Sequence, residues 1–418
     1  MTIRASAVTG SAPGALIVGG AHGSLAVARS LGRRGIPVWF VTHDHPLAKF
    51  SRYIKRSLAW QGPDHRHAVD FLLNLARTYR LEGWVLFAGG DAEVRLIAQN
   101  HAALSSVFRV TTPPWEVAKW AYDKRLTYAR AASIGIDYPW SRYPRDGRDV
   151  AQLECRFPVI LKPTVREATN AFTAAKAWRV DDRAALLARY EQAAALVGEQ
   201  SIVLQELIPG GGATQFSYAA VWDRGAPVAS LVAKRARQYP IDFGYTSTFV
   251  QTVEQKDVEE AACRFLRSLN YSGLVEIEFK YDQRDGRYKI LDVNARTWAW
   301  SALGAVAGVD FPHLQWRLAL GETVAPVRAA TCASWMHLSR DVVAAGQEIL
   351  AGRLSPLGYL RSLRGRFTFA AFAMDDPLPG LVELPVVLFR VLSRRLSAAA
   401  KEIRSSLLGR LHKLPAKT

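Results

Sequence analysis

Residues 273–297, GLVEIEFKYDQRDGRYKILDVNART, decide the fold, because they read as two β-strands joined by a tight turn with oxygen ligands on one face. In the first strand Val275, Ile277, Phe279 and Tyr281 alternate with Glu276, Glu278 and Lys280. In the second, Leu291 and Val293 alternate with Asp292 and Asn294. Register settles what this means. A two-residue Asp285-Gly286 loop would set Phe279 against Asp292 and mix apolar with acidic side chains on both faces, since a one-residue slip inverts a strand. A three-residue loop, Arg284-Asp285-Gly286 with Gly286 left-handed, sets Phe279 opposite Leu291 and Ile277 opposite Val293. Glu278 then faces Asp292, with Asn294 diagonal to it. Hydrophobic burial thus selects the register that gathers the oxygens.

Two carboxylates and an amide oxygen suit magnesium, with manganese as a substitute, and such an ion shares its shell with substrate phosphates. Glu278, Asp292 and Asn294 are the expected metal ligands. Arg296 follows directly, and a guanidinium there can hold a carboxylate or phosphate through two parallel hydrogen bonds.

Glu278 followed by the run Asp292-Val293-Asn294-Ala295-Arg296 resembles the end of the catalytic domain in the ATP-grasp superfamily, and within it the carboxylate-amine ligase branch. The resemblance spans about residues 15–325. It implies a mixed α/β and α+β chain in three parts. Residues 1–112 form a Rossmann-like domain and 113–325 the ATP-grasp domain, with a lid at about 126–207. Residues 326–418 form a C-terminal extension.

The upstream sequence fits this expectation. Ala15-Leu-Ile-Val18, a glycine turn at Gly19-Gly20 and Gly23, an amphipathic segment and Pro37-Val-Trp-Phe-Val41 follow the βαβ grammar of a doubly wound sheet. The turn is not a clean G-x-G-x-x-G, so a nicotinamide-dependent oxidoreductase is the weaker reading. Gly20 and Ala88-Gly89-Gly90-Asp91 are either substrate contacts, as the resemblance implies, or turns that close the sheet.

The resemblance also assigns nucleotide contacts. Lys124 sits in an Asp-Lys pair before a helix, and Lys162 ends the apolar strand Phe157–Leu161 before Pro163. The Gly-rich loop usual after that lysine is replaced by Thr164-Val-Arg166-Glu-Ala-Thr169-Asn170, so Arg166, Thr169 and Lys176 are expected to serve the phosphates with side chains. This departure is the one support for a second reading, an adaptor that binds nucleotide without catalysis. Gln205, Glu206, Leu207 and Ile208 form the adenine hinge, with Glu206 and Ile208 read through backbone groups, and Gln215 is the polar contact on the next strand. Arg235 and Arg237 share a face of an extended chain and, with Arg296, are the expected catalytic cations.

Composition agrees. The chain has 418 residues, 49% apolar, enough for two or three domains. Three dispersed cysteines indicate neither a disulfide framework nor a zinc knuckle, and a cytoplasmic setting is expected. Residues 1–14 lack the apolar run of a secretion signal. A net charge of +17 favours anionic partners. No nucleic-acid-binding motif stands out, so small-molecule acids and amines are the expected partners. Residues 384–418 place leucines and arginines at helical spacing, which suits an anionic membrane surface at the inner face of the membrane, or else core packing or a homodimer contact.

Overall fold

The computed structural model describes residues 13–43, 45–164, 170–175, 177–241 and 246–389. Lys176, Arg166 and Thr169 lie outside these residues, as does the chain beyond 389.

Near the N-terminus β1 (Ala15–Val18), β2 (Val38–Thr42), β3 (Ile54–Ala59), β4 (Val85–Ala88) and β5 (Arg109–Val110) form a parallel sheet in the order β3-β2-β1-β4-β5. β1 and β4 are buried along their whole length, as apolar strands sandwiched between helix layers must be. Strand order reverses between them, and their carboxyl ends carry the two glycine turns. Gly20 has φ +79°, and a Cβ there would stand 2.5 Å from the Gly89 carbonyl oxygen. The turns therefore pack backbone to backbone, which presents Asp91 at the start of the helix Asp91–Gln99.

A second sheet contains β6 (Ser141–Arg142), β7 (Val159–Pro163), β8 (Trp178–Val180) and β9 (Ile202–Glu206), all antiparallel in the order β6-β9-β7-β8. Val159, Leu161, Ile202 and Leu204 pack against Leu186, Tyr190 and Ala193 of the helix Arg183–Val197. Asp182 caps that helix, accepting from the Ala185 N–H at 2.9 Å. This small core is separate from the two that the other sheets share.

The third sheet runs β14-β13-β10-β11-β12-β16-β17, with β15 beside β11. Its strands are β10 (Gln215–Asp223), β11 (Ala226–Tyr239), β12 (Thr246–Val253), β13 (Gly273–Asp282), β14 (Arg287–Asn294), β15 (Val327–Arg328), β16 (Ala333–Met336) and β17 (Arg366–Phe369). The C-terminal residues thus extend the central sheet. The stretch after β17 is tied to the first helix, His22–Gly32. Arg29 donates to Asp376 Oδ2 at 2.9 Å and to the Ala371 and Asp376 carbonyls at 2.6 and 2.8 Å. Among the described residues no helix is long and apolar enough to cross a membrane.

The β13–β14 pairing corrects one expectation. Glu278 faces Asp292 and Ile277 faces Val293, but Phe279 faces Ile290, not Leu291. The turn has four residues between Asp282 and Arg287, closed by the Gly286 N–H on the Asp282 carbonyl at 2.8 Å, with Gly286 at φ +71°. That extra residue alone would invert the strand. A bulge at Leu291 shifts the pairing back by one, so the oxygens still share a face.

Candidate active site

A cleft of about 1330 Å³ lies where the three sheets meet. Every expected metal, nucleotide and cationic residue within the described part of the chain lines it, whereas of the glycine turns Asp91 does and Gly20, Ala88, Gly89 and Gly90 do not. Its floor is the polar face of β13 and β14. Glu278 accepts from Gln215 Nε2 at 2.5 Å and lies 3.4 Å from the Arg235 guanidinium. Asp292 Oδ1 is 2.5 Å from Lys124 Nζ, which stands at the start of the helix Lys124–Ser133. Asn294 donates to Glu276 Oε2 at 2.9 Å and accepts from Arg296 at 3.1 Å.

Glu276 is the residue sequence reasoning left out of the ligand set, although the alternation of β13 already placed it on the right face. It pairs directly with Asn294, is 2% exposed, and its Oε1 has no hydrogen-bond partner among the described residues. Burial, and then the charge of Glu278, push its carboxyl up to about 8. An orphaned buried oxygen beside two further carboxylates and an amide oxygen is a donor set that fits a hard divalent cation. Such an ion would offset the crowding of negative charge on this face.

The opposite side of the cleft is built by the second sheet. Lys162, half-buried on β7, donates to Gln205 Oε1 at 2.8 Å. The amide of Gln205 cannot turn over, because its Nε2 donates to Tyr128 Oη and Ser141 Oγ, both at 3.0 Å. Tyr128 in turn donates to the carbonyl of the bulged Leu291 at 3.0 Å. It lies one helical turn beyond Lys124, a spacing that puts both on the same side of their helix and was the available signal for it. The polar groups of the expected hinge are already partly engaged. The Glu206 carboxylate accepts from the Trp140 N–H at 2.9 Å, from Lys289 at 3.1 Å and from Arg284. The N–H groups of Glu206 and Leu207 go to the Trp140 and Pro158 carbonyls at 2.9 and 3.2 Å. Ile208 follows, 7% exposed and facing the cleft.

Arg237 departs from expectation. The pairing of β11 with β12 is irregular on both sides of it, so it does not share a working face with Arg235. It lines the cleft, but its guanidinium is committed to the fully buried Asp341 at 2.8–3.1 Å and to Ser362 at 3.0 Å, over the Phe249 ring. Arg235, by contrast, keeps its guanidinium beside Glu278. On the same β13 face burial, then Arg235, lower Lys280 to about 8, and its ammonium donates to the Gly211 carbonyl.

The N-terminal sheet contributes Asp91, one of the residues that the sequence left open as a substrate contact or part of a closing turn. It holds Arg296 from the far side of the cleft.

Comparison with known proteins is consistent with this geometry. Residues 245–327 match the family described as carbamoyl-phosphate synthase L chain, ATP binding domain. A D-aspartate ligase of Enterococcus faecium is 23% identical over 248 residues, covering 54% of this chain and 57% of that one, so the chain spans little more than half of that relative. The L-amino acid ligase of Bacillus licheniformis superposes with a TM-score of 0.56 at 16% identity, over 74% of this chain and 75% of the other. The biotin carboxylase domain of the Hydrogenobacter thermophilus 2-oxoglutarate carboxylase, solved with MgADP and bicarbonate, gives 0.59 at 15% identity, over 76% and 73%.

Proposed function

We propose that this chain, an ATP-grasp protein by fold, is an ADP-forming ligase that uses ATP and magnesium to activate a substrate carboxylate and join it to an amine. The observation that carries the reading is the single face on which Glu276, Glu278, Asp292 and Asn294 meet Lys124, Arg235 and Arg296. Glu278, Asp292 and Asn294, with Glu276 beside them, are the residues that would hold the metal, which supplies charge neutralisation for phosphate oxygens when bound. Lys162, Gln205 and the hinge from Glu206 to Ile208 would take the nucleotide, with Lys162 acting on phosphate as a point charge.

An acid approaching a triphosphate brings like charges together, and each pair at ~4 Å costs about 4 kcal/mol at an effective dielectric of 20. Lys124 and Arg235 are fixed in place by Asp292 and Glu278, so they offset that cost without reorganising. No side chain has to act as a nucleophile, because the carboxylate and the amine are the reacting groups. The names of the two ligase relatives favour an amino acid as one substrate. The decisive assay is ADP release from ATP and magnesium across a panel of amino acids and short peptides. Acid-dependent release that disappears in Lys162→Ala and Asn294→Ala supports the reading; full turnover in either variant rejects it.

The reading includes a cytoplasmic setting at an anionic membrane surface, touched by residues 384–418. The last described helix, residues 378–389, turns Glu383 inward and leaves Leu381, Leu384 and Leu388 67%, 58% and 55% exposed. Those leucines recur at helical spacing, and the sequence beyond them is strongly basic. Flotation with anionic vesicles, using the full chain and one shortened at residue 383, tests this. Equal flotation of the two removes the membrane contact, and a concentration-dependent dimer of the full chain alone would assign the leucines to a second copy.

A further inference from the structure

The helix 378–389 is fixed at its inner face by a cluster that the proposed ligase chemistry does not use. His22 opens the helix His22–Gly32, His337 follows β16, and Glu383 comes from the last helix. These three segments are far apart in sequence, yet their ligand atoms all lie within 4.8 Å of one another, and all three residues are buried. Glu383 Oε1 stands 2.6 Å from His22 Nε2 and 3.3 Å from His337 Nε2. The two imidazole rings are 4.8 Å apart, centroid to centroid, in an edge arrangement. None of the three lines the cleft.

A histidine pair bridged by hydrogen bonds to one carboxylate would account for His22. It does not account for His337, which is 2% exposed and whose Nε2, aimed at the carboxylate, makes no hydrogen bond among the described residues. A buried imidazole nitrogen without a partner is costly. A metal ion removes the cost. With zinc–nitrogen and zinc–oxygen bonds of about 2.0–2.2 Å, tetrahedral donors stand roughly 3.3–3.6 Å apart, close to the His337–Glu383 spacing, while the 2.6 Å His22–Glu383 hydrogen bond has to open to that spacing as the ion takes the place of its proton. On the other ring nitrogen, His337 Nδ1 lies 3.4 Å from Ser339 Oγ, where an outer-shell partner of a metal-bound histidine belongs.

We infer that His22, His337 and Glu383 form a zinc site that clamps the C-terminal helix onto the first helix of the N-terminal domain, with a water completing the tetrahedron. Its role is structural, because the ion would join three chain segments away from the cleft. Neutral imidazole and carboxylate donors with no thiolate suit zinc over the soft copper(I) ion, and the two nitrogens disfavour magnesium.

The test uses the full-length chain, free of any tag, stripped of metal and titrated with zinc against a chromophoric chelator. One zinc per chain is expected, with affinity weakened on the order of 100-fold in His337→Gln and in Glu383→Gln. Cobalt substitution of the unmodified chain gives a second readout that does not require the variants to fold. Intense ligand-field bands of a tetrahedral cobalt site support the inference. Absence of those bands, or zinc affinity unchanged in folded variants, overturns it and leaves the cluster a hydrogen-bonded packing feature. MgATP binding, measured on the same samples, is expected to persist after zinc removal, which separates this result from the fate of the ligase reading.

Discussion

Arg296 grips Asp91 through two parallel hydrogen bonds, Nε to Oδ1 at 2.6 Å and an Nη to Oδ2 at 3.1 Å, joining residues 205 positions apart. The pair couples the glycine turn after β4 to the oxygen face of β14, so the parallel sheet positions a cation of the candidate active site. Asp91→Asn keeps the shape and removes the charge. Asp91 is 64% exposed in its side chain, so the pair adds little to stability and the melting temperature should hold, whereas a misplaced Arg296 is expected to lower kcat/KM for ADP release on the order of 10- to 100-fold. An unaltered kcat/KM would make the pair a surface contact only.

Glu278 receives one amide donor and one guanidinium, an arrangement that leaves its carboxylate available to a metal while holding its rotamer. Glu278→Gln should raise the magnesium concentration for half-maximal turnover by about 10-fold or more, because a neutral amide oxygen is a poorer partner for a hard dication. Activity measured against magnesium at saturating ATP reads this directly.

The two arginines of β11 are expected to fail in opposite ways. Arg237 and Asp341 form a buried pair, 7% and 0% exposed in their side chains, so removing either partner strands a charge and costs about 3–5 kcal/mol. Arg237→Ala should lower the denaturation midpoint, with activity following the folded fraction. Arg235→Ala should leave the midpoint in place and reduce kcat. Chemical denaturation and turnover on the same samples separate the two effects.

Asp282, fully buried, accepts from Arg284 at 2.6–2.8 Å and from Lys289 at 2.8 Å. Arg284, and then Lys289, hold its carboxyl well below the ordinary 3.8. A depressed folded-state pKa means the stabilisation is complete above pH 3.8 and is lost as the pH falls through the folded value. Asp282→Asn should therefore be less stable than the parent near neutrality, with the gap narrowing in acid. A gap independent of pH would show that the charge of Asp282 is not what stabilises the turn.

Much of the site was legible because period-two alternation is a strong constraint. It placed Glu278, Asp292 and Asn294 together, and Lys162 fell one residue short of the end of β7, which runs on through Pro163. The errors share one cause, the insensitivity of alternation to a single inserted residue. The four-residue turn and the bulge at Leu291 cancel in register, so neither leaves a trace in the pattern of the ligands. The irregularity around Arg237 does not cancel, and it sends that side chain to Asp341, a partner 104 positions away that no local pattern announces. Glu276 was visible on the correct face, but its burial depends on the neighbouring β10 and could only come from the assembled sheet.

β16 pairs with β12 on one side and β17 on the other, so the last strands seal the flank of the central sheet. A protein shortened ahead of residue 333 would display the backbone of β12 as an open edge, ready to recruit foreign strands. Expression trials that trim this end to obtain a minimal catalytic unit should accordingly yield inclusion bodies, however complete the cleft residues they retain.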